Sequence, residues 1–358
     1  MNSKAPGKTP GDTAMSISGL GPHGERAVPA NQIHLTETDA DQARARRFSV
    51  AVVLHTTTSD WSKQELAGIA ATLGLYSAAL VEVVDCNFDV ELQVAALGRL
   101  EHEPVDAVIS IPIGNARVAA AHRALTQSGR KLVLLDNAPT GMLPGADYAS
   151  VVSTDNFGLG QSCAAMLSTH IPPDGAAGIL GYGVDFFATH EREIAFRKWM
   201  GHYRPDVTLV RERFAEPEGA GPAALAMVEK TPGLSGIFAV WDVPAMKAVR
   251  ALAQNGIHLP LTTVDLGNEV ALDMARHGMI KGVGAQLPYD QGSAAARVTL
   301  AALLGLPVPP WVALAGREVT PSDVIEAYQV VWHLPAPKAI IDGVRSATPA
   351  QGQDEGAG

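Results

Sequence analysis

Residues 48–84 read FSVAVVLHTTTSDWSKQELAGIAATLGLYSAALVEVV, and this stretch decides the fold. A mainly apolar run (48–54) is followed by an amphipathic segment (62–73) and then by a second mainly apolar run (80–84). Strands that are apolar throughout and alternate with helices are typical of a parallel sheet covered by helices on both faces. The stretch therefore predicts the first β-α-β unit of an open α/β sheet.

The same alternation continues along the chain and is interrupted once. It runs as far as an apolar strand at 131–135, breaks in a segment rich in Gly, Pro and Asp (137–147), and restarts at 149–152. The second series ends with a predicted helix at 290–304. A chain of 358 residues is long enough for two domains of roughly 150 residues each. We therefore predict an α/β fold with two doubly wound parallel-sheet lobes.

The composition excludes several classes of protein. Apolar residues make up 47% and charged residues 18%, which is typical of a globular protein with a large core. The net charge of −10 disfavours a nucleic-acid partner, because phosphate neutralisation requires clustered Lys and Arg. No apolar run approaches the roughly 18 residues of a membrane span. Cys86 and Cys163 form no CxxC pair, and we expect neither a metal nor a cofactor.

Both ends of the chain are predicted to be disordered. Residues 1–47 are rich in small and polar residues, and no export signal is visible in residues 1–46, because the apolar segment of a secretory signal is missing. Residues 343–358 have a similar composition and are interpreted as a flexible tail.

Hydrogen-bonding and aromatic side chains follow most of the predicted strands. Ligands of open parallel sheets bind outside the carboxyl ends of the strands, so these side chains are the candidate ligand-binding residues. They are Asp60, Trp61, Asp136, Asn137, Phe187, Arg192, Trp241, Asp242, Asp265 and Gln286. Carboxylates, amides and a guanidinium pair with hydroxyls that both donate and accept, and an aromatic ring packs on the C–H face of a sugar. The set predicts a site for a sugar or polyol, although each Asp taken alone is equally a helix cap.

No catalytic motif is complete. His190 and Glu191 begin like an HExxH zinc motif, but Ile194 stands where the second histidine is required. Gly181 and Gly183 follow a predicted strand without the third glycine of a dinucleotide-binding loop. We therefore predict no catalytic residues.

Five short strings occur in the order seen in ribose-type periplasmic sugar-binding proteins. They are DN (136–137), DFFATHER (185–192), AVWD (239–242), TVD (263–265) and GAQLPYDQ (284–291). Over roughly residues 48–335 the chain resembles these solute receptors of ABC importers, and in combination the strings are fairly specific.

The resemblance implies a periplasmic-binding-protein-like fold of type I, with two lobes joined by a three-strand hinge. The expected lobes are 48–152 plus 287–314 and 153–286 plus 315–335. It also implies capture of a monosaccharide or polyol between closing lobes, a membrane permease as partner, a monomeric state and a periplasmic location. Transfer of the closed form to a sensor kinase stays open beside transport.

The resemblance also assigns roles to individual residues. Trp61 takes the place of an aromatic lid, Arg192 that of the arginine that clasps the sugar ring, and Gln286 that of a hinge glutamine. Asn137 and Trp241 depart from the family pattern, and these departures favour another pentose, a branched sugar or a polyol over ribose.

Two other functions are compatible with such a fold. The effector domain of a LacI-type regulator shares it but needs a helix-turn-helix before the first strand, and residues 1–46 lack the helical apolar period for one. A carbohydrate-active enzyme could use Asp136, Asp242 and Asp265 as acid and base, but no nucleophile motif or metal cluster accompanies them.

Overall fold

The computed structural model describes residues 16–347. The strands in chain order are β1 (Val28–Pro29), β2 (Ser49–Leu54), β3 (Ala79–Asp85), β4 (Ala107–Ser110), β5 (Lys131–Leu135), β6 (Ser150–Thr154), β7 (Ala176–Tyr182), β8 (Thr208–Phe214), β9 (Leu234–Ala239), β10 (Leu261–Val264), β11 (Ile280–Ala285), β12 (Trp311–Leu314) and β13 (Arg317–Val319). The helices are α1 (Glu37–Arg46), α2 (Asp60–Leu75), α3 (Val90–Leu100), α4 (Ala116–Gln127), α5 (Asn156–Ser168), α6 (Phe187–Tyr203), α7 (Ala220–Lys230), α8 (Asp242–Gln254), α9 (Asn268–Ala275), α10 (Pro288–Leu303), α11 (Val324–Trp332) and α12 (Lys338–Ala347).

The strands form two sheets. The order in the first is β1-β12-β6-β5-β4-β2-β3, and in the second it is β13-β11-β10-β9-β7-β8. Neighbouring strands are parallel except β11 and β13, which pair antiparallel. Consecutive residues of β2, such as Val52 and Val53, point to opposite faces of the sheet and belong to two different core clusters. Helices therefore cover both faces of the first sheet. The predicted pair of doubly wound parallel sheets is confirmed.

The chain passes between the two sheets three times. It leaves the first sheet after β6, returns after β11 to form α10, and leaves again between β12 and β13. We call the first sheet with α1–α4 and α10 the first lobe, and the second sheet with α5–α9, α11 and α12 the second lobe. No helix among residues 16–347 combines the length and apolar character needed to cross a membrane.

The N-terminal segment is not disordered where the structure describes it. Residues 28–29 pair with β12 at the edge of the first sheet, and α1 begins with a reciprocal cap between Thr36 and Asp39. Earlier still, the backbone N–H groups of Ser18 and Gly19 donate to the Asp155 carboxylate at 2.6 and 3.0 Å. The prediction of disorder is therefore wrong for this part of the segment, because edge pairing and capping order a sequence without an apolar stripe. Residues 1–15 lie outside the described residues.

The predicted C-terminal tail begins later than expected. Residues 343–347 complete α12, whose Ile340 is buried in the core of the second lobe and whose Gly343 packs against α9. The rest of the predicted tail, residues 348–358, lies outside the described residues.

Two glycines let α2 lie directly on α10. A methyl group added to Gly68 would come within 2.0 Å of the Tyr289 carbonyl oxygen, and one added to Gly292 within 2.1 Å of the Glu65 carbonyl oxygen. This close approach holds α2 in place, and the first turns of α2 carry candidate residues of the site.

We predict that Gly292→Ala lowers the free energy of unfolding by about 1–3 kcal/mol, because the added methyl forces the two helices apart. The measurement is urea denaturation of the full chain. The matched control is Gly98→Ala in α3, where an added methyl meets nothing within 4 Å. The control should be as stable as the wild type or more stable, since alanine favours a helix interior. Equal stability of the two variants would contradict this account of the packing.

Candidate functional site

The carboxyl ends of the two sheets face each other. Asn137, which follows β5, accepts a hydrogen bond from the Phe187 backbone N–H at 3.1 Å. Asn115, at the start of α4, donates to the Asp185 carboxylate at 2.6 Å. Because each of these bonds joins a loop of the first lobe to a loop of the second, the loops after the strands form the two walls of one cleft.

Arg192 is the cation at the centre of the cleft. Its side chain is buried, and two of its nitrogens are fixed within the second lobe: Nε donates to Asn156 at 2.8 Å and Nη1 donates to the Val240 carbonyl at 2.9 Å. Its charge acts on the carboxyl groups of Asp136 in the first lobe and Asp265 in the second. Arg192 therefore links the two lobes electrostatically.

Asp136 directly follows β5 and is held in an uncommon backbone conformation. Its φ is +53°, and Gln291 Nε2 donates to its carboxylate at 3.1 Å. Burial raises the pKa of Asp136 to about 7, although the Arg192 charge opposes that rise. Asp adopts positive φ more readily than most residues, and the hydrogen bond from Gln291 helps to fix the carboxylate in this position.

Asp265 repeats this arrangement in the second lobe. It follows β10 with a φ of +74°, and Gln286 Nε2 donates to its carboxylate at 2.7 Å. Burial raises the pKa of Asp265, again against the Arg192 charge. The other end of the amide, Gln286 Oε1, is buried without a hydrogen-bond partner among the described residues.

Asp60 and Asp242 approach each other from opposite lobes. Asp60 opens α2, and its Oδ2 accepts hydrogen bonds from the backbone N–H of Asn268 at 3.1 Å and from its side chain at 2.8 Å. Asp242 opens α8, and its Oδ1 accepts from the Val243 N–H at 2.7 Å. Burial is the main cause that raises the pKa of Asp242, and the charges of Asp265 and Asp60 raise it further.

An aromatic group lies where the two lobes meet: His55, Trp61 and Phe88 come from the first lobe and Phe186 from the second. The ring of His55 lies 6.1 Å from that of Trp61, 4.9 Å from that of Phe88 and 6.4 Å from that of Phe186. Trp61 Nε1 and His55 Nδ1 are buried without hydrogen-bond partners among the described residues. Burial lowers the pKa of His55 to about 4, so this ring is neutral near neutral pH.

The structure gives the surroundings of the predicted aromatic residues Phe187 and Trp241. Phe187 contributes its backbone N–H to Asn137, and the ring of the adjacent Phe186 belongs to the aromatic group. Trp241 lies edge-on to Tyr182 at 5.1 Å and beside Phe214 at 5.2 Å, within the second lobe.

Sequence reasoning missed Glu65. Its side chain is fully buried in α2, and neither carboxylate oxygen has a hydrogen-bond partner among the described residues. Burial and the nearby Asp136 raise its pKa. The signal was present in the sequence, because Glu65 shares a helix face with the buried Ile69 and Thr72. An acidic side chain is almost never fully buried unless it has a partner.

Two lobes of this construction, meeting around buried hydrogen-bonding side chains, define a bilobal binding protein. The chain belongs to the family described as the periplasmic binding protein domain, whose model matches residues 50–307. The family expected from the sequence is thereby confirmed. No curated protein sequence matches the chain.

Solved structures show the same fold. An ABC transporter solute-binding protein from Agrobacterium vitis, bound with α-D-tagatopyranose, has a TM-score of 0.73 and 20% identity over 81% of this chain and 100% of its own. A carbohydrate transporter solute-binding protein from Agrobacterium radiobacter, in complex with D-arabinose, has a TM-score of 0.71 and 18% identity, covering 78% and 97%. One from Actinobacillus succinogenes with bound D-allose has a TM-score of 0.69 and 21% identity, covering 77% and 99%.

The raised pKa of Asp136 gives the stability of the protein a predictable pH dependence. A carboxyl whose pKa rises from 3.8 to about 7 on folding holds its proton better in the folded state. Its contribution to stability is fully present below about pH 4 and is lost as the pH rises to about 7. In Asp136→Asn this loss cannot occur.

We therefore predict that, between about pH 4 and about pH 7, the urea midpoint falls less steeply in Asp136→Asn than in the wild type. Both are measured without added ligand. Asp41→Asn on exposed α1 is the control and should follow the wild-type curve. Parallel curves for Asp136→Asn and the wild type would show that Asp136 is ionised at ordinary pH.

Proposed function

We propose that the chain is the substrate-binding component of an ABC importer and captures a monosaccharide or polyol, of pentose-like size, between its lobes. The observation that carries this proposal is the ring of buried polar side chains around Arg192, with contributions from both lobes. We place its ligand contacts at Asp60, Trp61, Asp136, Asn137, Phe187, Arg192, Trp241, Asp242, Asp265 and Gln286, and add Glu65 and Phe186.

The chemistry of these groups suits a polyhydroxylated ligand. Each hydroxyl donates to one group and accepts from another, so carboxylates such as Asp136 and Asp265 beside the Arg192 guanidinium satisfy it in both directions. The aromatic group offers apolar surface for the C–H face of the ligand. The solved relatives with bound tagatose, arabinose and allose support the same ligand class.

The proposed cycle is binding and release without chemical change. Ligand contacts on both lobes favour the closed arrangement, as in other hinge-bending binding proteins. The three crossovers between the sheets would act as the hinge, and the lobes would divide at 48–152 plus 287–314 and 153–286 plus 315–335. A membrane permease would receive the closed form, and we propose a monomer that works in the periplasm.

The direct test is a thermal-shift screen of the full chain against pentoses, hexoses and polyols. A ligand that binds only the folded protein raises the melting temperature. The ligand recovered from the complex should be unaltered. Conversion of the sugar would support an enzyme, and a DNA-dependent shift in native gels would support a regulator.

Arg192→Ala and Asp265→Asn should each weaken binding of the best sugar from the screen by about 2 kcal/mol or more, since each removes a charge-assisted hydrogen bond in a buried site. Asparagine is chosen at 265 because it tolerates positive φ. Isothermal titration calorimetry gives the affinities, and thermal melting verifies that both variants fold. Arg44→Ala on α1 serves as the exposed control. Unchanged affinity in both folded variants would remove these residues from the site.

A further inference from the structure

Residues 16–29 precede the first helix and contact both lobes, and we call this segment the strap. Its last two residues, Val28–Pro29, pair with β12 at the edge of the first sheet. Near its beginning, the Ile17 side chain packs against the core cluster of the first lobe that contains Trp311 and Ala313 of β12. Both ends of the strap are therefore seated on the first lobe.

The residues directly after Ile17 bind the start of the second lobe. The backbone N–H groups of Ser18 and Gly19 donate to the two carboxylate oxygens of Asp155 at 2.6 and 3.0 Å. The Ser18 hydroxyl lies 3.2 Å from Asp155 Oδ2 and 3.2 Å from Oε1 of Gln161, which belongs to α5. The strap thus changes from one lobe to the other between two consecutive residues.

Asp155 lies in the first crossover between the sheets, directly after β6 and before α5. Its side chain is buried, and its Oδ1 also accepts from the Gly158 N–H at 3.0 Å, so the carboxylate caps α5 and moves with that helix. Its backbone N–H donates to the carbonyl of Leu314, the last residue of β12 before the third crossover, at 2.9 Å. The strap is therefore attached where two of the three crossovers lie side by side.

The strap has no slack with which to follow a change in the angle between the lobes. Consecutive Cα atoms such as those of Ile17 and Ser18 are only about 3.8 Å apart. A rotation of α5 at the first crossover moves the Asp155 carboxylate and Gln161 away from the place where Ile17 is seated. Because such hydrogen bonds are lost when donor and acceptor separate beyond about 3.2 Å, the contacts of the strap fit a narrow range of lobe angles.

We propose that the strap stabilises the closed arrangement of the lobes, in which Asn137 and Phe187 join the two cleft walls, and detaches from Asp155 and Gln161 when the lobes open. The inference rests on the hinge motion of the proposed function and adds a means of regulating it. A ligand that binds only the closed arrangement has an apparent Kd that rises as the closed fraction falls. Releasing the strap therefore weakens ligand binding without touching the cleft.

Two variants of the full chain release the strap and leave Asp155 and its cap on α5 unchanged. In Gly19→Ala the added methyl would lie 2.5 Å from Asp155 Oδ1 and 3.0 Å from Phe157 Cβ. Ser18→Pro removes the N–H group that makes the 2.6 Å bond. The matched control is Gly201→Ala in α6, where no described atom lies within 4 Å of an added methyl. Amide hydrogen exchange verifies the release, since residues 16–29 should exchange faster in both variants than in the control.

Two measurements then show whether the strap acts on the lobes. Without sugar, small-angle X-ray scattering should give a larger radius of gyration for the released variants than for the wild type, and saturating sugar should remove the difference. Isothermal titration calorimetry with the best sugar of the screen should give a Kd about three- to tenfold higher, as expected when hydrogen bonds to a charged group no longer favour the closed arrangement. The control should match the wild type in both measurements.

The possible outcomes separate this proposal from the proposed function. A released strap with unchanged radius and unchanged Kd would overturn the role of the strap and leave sugar binding in place. Slow exchange of residues 16–29 in both variants would also overturn it, because the strap would then be held by something other than Asp155. If the folded wild type binds no sugar, a larger radius in the released variants would support the strap while the proposed function fails. An unchanged radius in that case would overturn both.

Discussion

The Arg192 guanidinium is buried where the two lobes meet, and the side chains around it must supply its hydrogen bonds and balance its charge. A buried charge is tolerated only when hydrogen bonds and opposite charges surround it, and here the second lobe fixes two of the nitrogens through Asn156 and the Val240 carbonyl. The compensating carboxyl of the first lobe is Asp136, which Gln291 of α10 holds in place. One arginine thus connects α6, β5 and α10, and the cleft is organised around it.

The contacts that close the lobes run beside the site and share residues with it. Asp60 accepts from Asn268, and Asn268 in turn accepts from the Tyr328 hydroxyl at 2.7 Å. Gln64, one turn further along α2, donates to the Trp332 carbonyl at 2.5 Å. Since α2 carries Asp60, Gln64 and Glu65, its packing on α10 through Gly68 and Gly292 helps to position these side chains.

Much of this arrangement is predictable from the sequence, and what escaped prediction has physical causes. Continuous apolar strands fix the parallel sheets, so the strand-end positions of Asp136, Asp265 and Gln286 follow, and the structure brings these residues together around Arg192. Glu65 escaped because an acid within a helix is ordinarily solvated, although it shares a helix face with the buried Ile69 and Thr72. Helix α1 escaped because capping and edge contacts, which leave no apolar period, order the segment before β2.

Amide hydrogen exchange on the full chain, with and without the best sugar of the screen, tests most directly whether the two walls form one ligand site. We predict that the sugar slows exchange in the first turns of α2 of the first lobe and also in α6 and at the start of α8 of the second lobe. Slowed exchange confined to one lobe, or to segments away from these helices, would contradict a site built from both lobes around Arg192.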